Sequence, residues 1–329
     1  MADNAGKPEH HYQPEHSGMY ELEFPAPQLS STDGRGPVLI HALEGFSDAG
    51  HAIRLAAQHL KNTLDTELVA SFAIDELLDY RSRRPLMTFK TDHFTHYEEP
   101  ELNLYALRDS VGTPFLLLAG LEPDLRWERF ITAVRLLAER LGVRRVVGLG
   151  TIPMAVPHTR PITMTAHSND KELIADHQPW VGEVQVPGSA SNLLEFRMSQ
   201  HGHEVVGYTV HVPHYLAQTD YPAAAEALLA EVSRSAALQI PLDALTTAGA
   251  EVLDKINEQV EASPEVAQVV TALERQYDAF VAAQENRSLL ASDEDLPSGD
   301  ELGAEFERFL AQQAEKKSKD RHQDGDDTG

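Results

Sequence analysis

The chain has 329 residues, with 27 Lys and Arg against 52 Asp and Glu, no cysteine, and a formal net charge of −25. That length suits one α/β core of about 200–230 residues plus an appended piece. The charge repels a phosphate backbone and excludes general nucleic-acid binding, and the missing cysteines exclude disulfides, thiolate nucleophiles, Fe–S clusters and cysteine-bound zinc.

The charge is uneven: Glu251–Gly329 holds 20 acidic and 8 basic residues, net −12, and Met1–Pro37 holds 6 and 2, net −4. Residues 1–20 and 316–329 are polar and poor in aliphatics, a composition that predicts disordered tails around a core at 21–240 and a helical extension at 241–315. No apolar run of about eighteen residues and no secretory leader can be read, so a soluble cytoplasmic protein without membrane partners is expected.

In chain order, Val38–Ala42 reads as a strand, Glu44–Gly50 as a turn, and the stretch from His51 as a helix with apolar residues at helical spacing. Glu67–Ile74 reads as the next strand. Leu86–Lys90 and Phe94–Glu98 alternate like a hairpin, which Leu102–Leu107 extends. Pro114–Ala119 is a continuous apolar run, as in a strand buried on both faces, and it is followed by an amphipathic helix that stops at Gly142 and a strand at Val143–Leu149. Pro153, Pro157 and Pro161 then predict a long shaped loop with one strand candidate, Ile162–Ala166.

Val184–Val186 is a short strand candidate, Asn192–Gln200 a helix capped by Ser189 or Ser191, Glu204–Val212 a strand, and Pro222–Ala237 a helix with proline in its first turn. Beyond Pro241 only helices are expected, over Leu242–Val260, Pro264–Gln284 and Pro297–Glu315. The second carries a stripe of Val266, Val269, Val270, Leu273, Tyr277, Phe280 and Val281 that calls for burial.

Candidate chemistry gathers at strand ends, where α/β proteins place ligands. Glu44, Gly45, Phe46, Ser47, Asp48 and Gly50 form a glycine-flanked turn that lacks the Lys-Ser/Thr of a phosphate loop and the spacing of a nucleophile elbow. Either it supplies acid–base groups, or Ser47 or Asp48 caps the helix and the glycines permit the turn. Glu122 and Asp124 follow another strand and could join this rim as an acidic pocket or an all-oxygen divalent-cation site, with Asp124 as a helix N-cap in the simpler reading. His158, Arg160, His167 and Asp170 make the proline-rich loop either a binding surface or a structural cover. The pairs His201/His203 and His211/His214 lack helical zinc spacing, so neither metal nor cofactor is expected.

Four segments, ALEGFSDAG, GLEPDLRW, VVGLGTIPMAVPHTRP and VPGSASNLLEF, stand in an order and spacing that together resemble the proteasome assembly chaperone 2 family in its long bacterial branch. The resemblance implies a three-layer α/β/α sandwich with a mixed, mostly parallel sheet, similar to nucleoside phosphorylases, plus a C-terminal helical extension. It implies homo-oligomers, trimers among them, and proteasome-related partners, with no established enzyme activity. The sequence ends Asp327-Thr328-Gly329, without the hydrophobic–tyrosine–any-residue tail by which some relatives dock. Two functions are carried forward. The first is a non-catalytic protein-interaction factor. The second is a nucleoside- or phosphate-type binder, or a hydrolase- or phosphorylase-like enzyme, using the strand-end residues.

Overall fold

Val38, Ile40 and Ala42 turn to one side of a sheet and Leu39 and Leu43 to the other, and all five are buried, as in a strand covered on both faces. The computed structural model, which describes residues 18–24, 29, 36–177 and 182–289, builds a three-layer α/β fold around that strand. The strands are β1 (Tyr20–Leu22), β2 (Val38–Glu44), β3 (Asp65–Phe72), β4 (Met87–Lys90), β5 (His93–Tyr97), β6 (Leu102–Arg108), β7 (Pro114–Leu121), β8 (Arg145–Met154), β9 (Met164–Ser168) and β10 (Glu204–Pro213). The helices are α1 (Ala52–Thr63), α2 (Ile74–Leu77), α3 (Trp127–Arg140), α4 (Ala190–Gln200), α5 (Pro222–Ala236), α6 (Asp243–Ala262) and α7 (Pro264–Leu289).

Eight strands form one mixed sheet in the order β1-β3-β6-β7-β2-β8-β10-β9. Its centre, β7-β2-β8-β10, is parallel, and the strands on either side pair antiparallel. Helices α1, α5 and α6 cover one face, and α3 and α4 the other. Compact packing divides the chain into a unit of Met1–Gln178 with Gly188–Tyr277, which holds the sheet, and a unit of Pro179–Pro187 with Asp278–Gly329. The helix expected at Pro297–Glu315 and the tail after it lie outside the described residues, as do the first seventeen residues; Met19 is already buried in the core.

Several local expectations change. β6 does not extend the hairpin; its buried Leu102, Leu104, Ala106 and Leu107 place it between β3 and β7 in the main sheet, and β4 and β5 pair only with each other. β8 runs on through Pro153, because its pairing with β2 ends at Gly148 and a residue with no N–H is tolerated on the side left open. Val184 and Val186 are exposed and belong to no strand. Ser189, not Ser191, caps α4, its hydroxyl oxygen accepting the Asn192 N–H at 3.0 Å. On α7 only part of the apolar stripe is covered: Val270 and Leu273 are buried, while Val266 and Val269 face solvent.

Candidate functional site

The carboxyl ends of β2, β7 and β8 meet at the turn that follows β2. Ser47 and Thr151 lock this turn to β8. The Ser47 hydroxyl donates to the Thr151 carbonyl at 2.6 Å, and the Thr151 hydroxyl donates to the Ser47 carbonyl at 3.0 Å while accepting the Ala49 N–H at 2.7 Å. Asp48 caps α1, its two carboxylate oxygens accepting the Ile53 and Arg54 N–H groups at 2.8 and 3.2 Å. Gly50 has φ +67° and exchanges backbone hydrogen bonds with Ala217 and Tyr221, so the turn is also fixed to the segment after β10. A side chain there would suffer left-handed strain and meet Tyr221 Cβ at 2.9 Å. Phe46 is 78% exposed and projects outward.

Glu122, at the end of β7, is brought to this turn as the sequence reading allowed. Its buried carboxylate accepts the Phe46 N–H at 3.1 Å and the Ser191 N–H at 3.2 Å, joining the turn to the first turn of α4. Gly45 makes the approach possible, since a Cβ there would lie 1.8 Å from Glu122 Oε2. Arg83 holds the rim from outside, donating to the carbonyls of Glu44 and Glu122 at 3.3 and 3.0 Å and pairing with Asp124 at 3.1 Å. Asp124 is therefore not a helix cap; its other oxygen accepts the Asp79 N–H at 2.9 Å, and α3 instead starts after Arg126.

Burial and the neighbouring Asp48 charge push the Glu44 carboxyl above its usual range, and burial pushes Asp48 up against the pull of the α1 amides and His51. These carboxyls are the groups an acid–base site would use. Asp48 already holds two helix amides, and the Ser47 hydroxyl is bonded to Thr151 of β8.

His158 and Arg160 do other work. The His158 ring contacts the Tyr215 hydroxyl at 2.6 Å and Asn257 of α6 at 3.2 Å, and Arg160 pairs with Glu274 of α7 at 3.2 Å. Thr159 donates to the same carboxylate at 2.5 Å, and Tyr277 donates to the Pro161 carbonyl at 3.2 Å. The proline-rich loop thus anchors α6 and the first half of α7. His211 is held between the hydroxyls of Thr163 and Thr165 at 2.8 and 2.9 Å, and burial lowers its pKa. Among the described residues no group of three His, Cys, Asp or Glu is arranged to hold a metal ion.

A second polar group, not anticipated from sequence, lies under α4. His41, Gly148, Gly207 and His167 form one cross-strand row over β2, β8, β10 and β9. Glu195 of α4 drops into the gap over the two glycines: a Cβ on Gly148 would lie 2.0 Å from its Oε1, and one on Gly207 would lie 2.9 Å from its Oε2. Its Oε1 is 3.2 Å from His41 Nε2, its Oε2 bonds His167 Nε2, and His41 Nδ1 is 3.1 Å from the Ser191 hydroxyl. The His41–Glu195 approach is an electrostatic contact, since Nε2 falls outside hydrogen-bond geometry. Burial would raise the Glu195 carboxyl, yet the two imidazoles hold it down at about 2. The sequence signal is a glycine inside each of two buried strands, which marks a close approach.

A family model described as the PAC2 family matches residues 42–260. Among solved structures, a Mycobacterium tuberculosis protein of unknown function, Rv2714, is 78% identical over 88% of this chain and 95% of that one, with a TM-score of 0.81. A Corynebacterium glutamicum protein of unknown function is 46% identical over 80% of this chain and 98% of that one, at 0.77. The M. tuberculosis proteasome-assembly chaperone homologue Rv2125 is 24% identical over 71% and 99%, at 0.65. No curated protein matches.

Proposed function

The chain belongs to the PAC2 family, and on that premise we propose that it is a non-catalytic protein-interaction factor of the proteasome-assembly-chaperone kind, working as a homo-oligomer. The observation that carries this reading is the β4–β5 hairpin. Met87 and Phe89 lie two apart on β4 opposite Tyr97 and Phe94, and the Phe89 and Phe94 rings meet edge to face with centroids 5.2 Å apart. All four side chains are between 43% and 61% exposed, and Leu86 at the base is 68% exposed.

An isolated two-stranded hairpin is marginal in water, and an apolar patch of this kind marks an interaction surface. Over residues 87–97 Lys90 balances Asp92, so this face is neutral on a chain of charge −25. Two such acidic copies meet there with the least repulsion, which supports self-association through the hairpin. The name of Rv2125 supports proteasome subunits as the further partners. The bonding of Ser47 with Thr151, of Asp48 with the α1 amides and of Glu122 with the Phe46 and Ser191 amides favours a structural rim over a catalytic one. Tagged protein isolated from cell extract in mild salt should bring down proteasome core subunits. Recovery of nothing but further copies of itself would contradict the reading.

A further inference from the structure

The row beneath α4 does more than fill space. β9 is an edge strand, held to β10 over only five residue pairs, Val206↔Ser168 to Val210↔Met164. The polar side-chain tie that runs from it under the sheet's covering helix is His167 to Glu195. We propose that the His167–Glu195 contact is a pH-operated latch that fastens the edge strand β9 to the sheet and to α4, and that loosens as the imidazole loses its proton.

The geometry sets the two ends of the latch very differently. Glu195 is 8% exposed and fixed on a helix, whereas the His167 side chain is 49% exposed and reaches solvent, so protons reach the histidine without any opening of the core. Facing His167 are Glu195 from α4, uncharged Gly207 from β10, and, through Glu195, His41 from β2. Glu195 is the one acidic partner in that set. Hydrogen bonding to Glu195 raises the His167 pKa in the folded protein, with burial opposing, while Glu195 stays ionised down to about 2.

A histidine raised in this way contributes fully below its unfolded value of about 6.5 and loses that contribution as pH climbs through the raised folded value. Glu195 runs the other way: its contribution is present above its unfolded value and is lost only as pH falls toward 2. The latch therefore responds to rising pH. A neutral imidazole still hydrogen-bonds the carboxylate, so what is lost is the charge assistance, and β9 becomes looser rather than detached. As it loosens, the outer N–H and C=O row of β10 opens to a competing strand.

Hydrogen exchange on the full chain between pH 5.5 and 8.5, corrected for intrinsic rates, tests this. The readout is protection of Met164–Ser168 relative to the central strand β7 in the same sample. Protection should fall about three- to fivefold as pH rises, the difference between a charged and a neutral hydrogen bond discounted for partial exposure. In His167→Gln, which keeps a donor and cannot titrate, the pH step should vanish and protection should stay at the high-pH level. A flat wild-type profile, or the same step in His167→Gln, would overturn the proposal. His167 is half exposed, so the variant is expected to fold; Glu195→Gln serves as a second arm and should likewise remove the step.

Discussion

Replacing Gly148 by alanine tests whether the buried row is as tight as its geometry requires. The new Cβ would lie 2.0 Å from Glu195 Oε1 and 2.7 Å from His41 Nε2. His41 is completely buried and Glu195 is 8% exposed, so neither side chain can swing into solvent without opening α4. Overpacking alone costs about 1–3 kcal/mol, and driving an ionised carboxylate off its buried partners costs about 3–5 kcal/mol. A loss of about 3–5 kcal/mol is expected, which in a domain of this size lowers Tm by roughly 6–20 °C. Differential scanning calorimetry at neutral pH reads it directly. Gly188→Ala is the comparison, since a Cβ there meets nothing within 4 Å, and its Tm should stay within about 1 °C of wild type. A Gly148→Ala protein that melts within about 2 °C of wild type would refute the packing argument.

The strand-end rim and the hairpin yield further expectations. Thr151→Val leaves the Ala49 N–H and the Ser47 carbonyl without their side-chain partner and should destabilise by about 1–3 kcal/mol in urea unfolding; an unchanged midpoint would remove Thr151 from the account. Phe89→Asp with Phe94→Asp should lower the solution mass measured by light scattering and remove any dependence of Tm on protein concentration, and an unaltered mass would exclude the hairpin as the self-association face. A thermal-shift panel of nucleosides, nucleotides and phosphate should leave Tm unmoved. A ligand at 100 times its Kd would add about 2.7 kcal/mol, so a clear shift would favour the small-molecule reading. Ending the chain at Ser263 removes Val270, Leu273 and Glu274 from their places against the core and should reduce solubility; a fully soluble product would show that α7 is not needed as a cover.

What could be read from sequence follows the range of the forces involved. β2 with α1, β7 with α3, and β10 with α5 each announce themselves within about thirty residues, through an apolar run, a turn and a 3.6-residue stripe. Glu122 joins Gly45 and Phe46 because parallel neighbours end together, which strand order alone suggests. The assignment of β6 failed because pairing with β3 and β7 depends on partners that local alternation does not name. Arg83 belongs to no motif in the sequence, and only the turn that carries it back to two strand-end carbonyls gives it a role. His158 and Arg160 sit on the expected loop, but their partners Asn257 and Glu274 lie about a hundred residues further along. His41, Glu195 and His167 come from a strand, a helix and an edge strand, and nothing in their spacing connects them.

The proposed function is that this PAC2-family chain acts on other proteins, with proteasome core subunits as partners. Reconstitution of the core particle from purified subunits, with and without the full chain, is the decisive measurement. Assembled particle should appear faster with wild-type protein, with little or no acceleration from the Phe89→Asp, Phe94→Asp variant. Equal assembly rates with and without the wild-type chain would overturn the proposal.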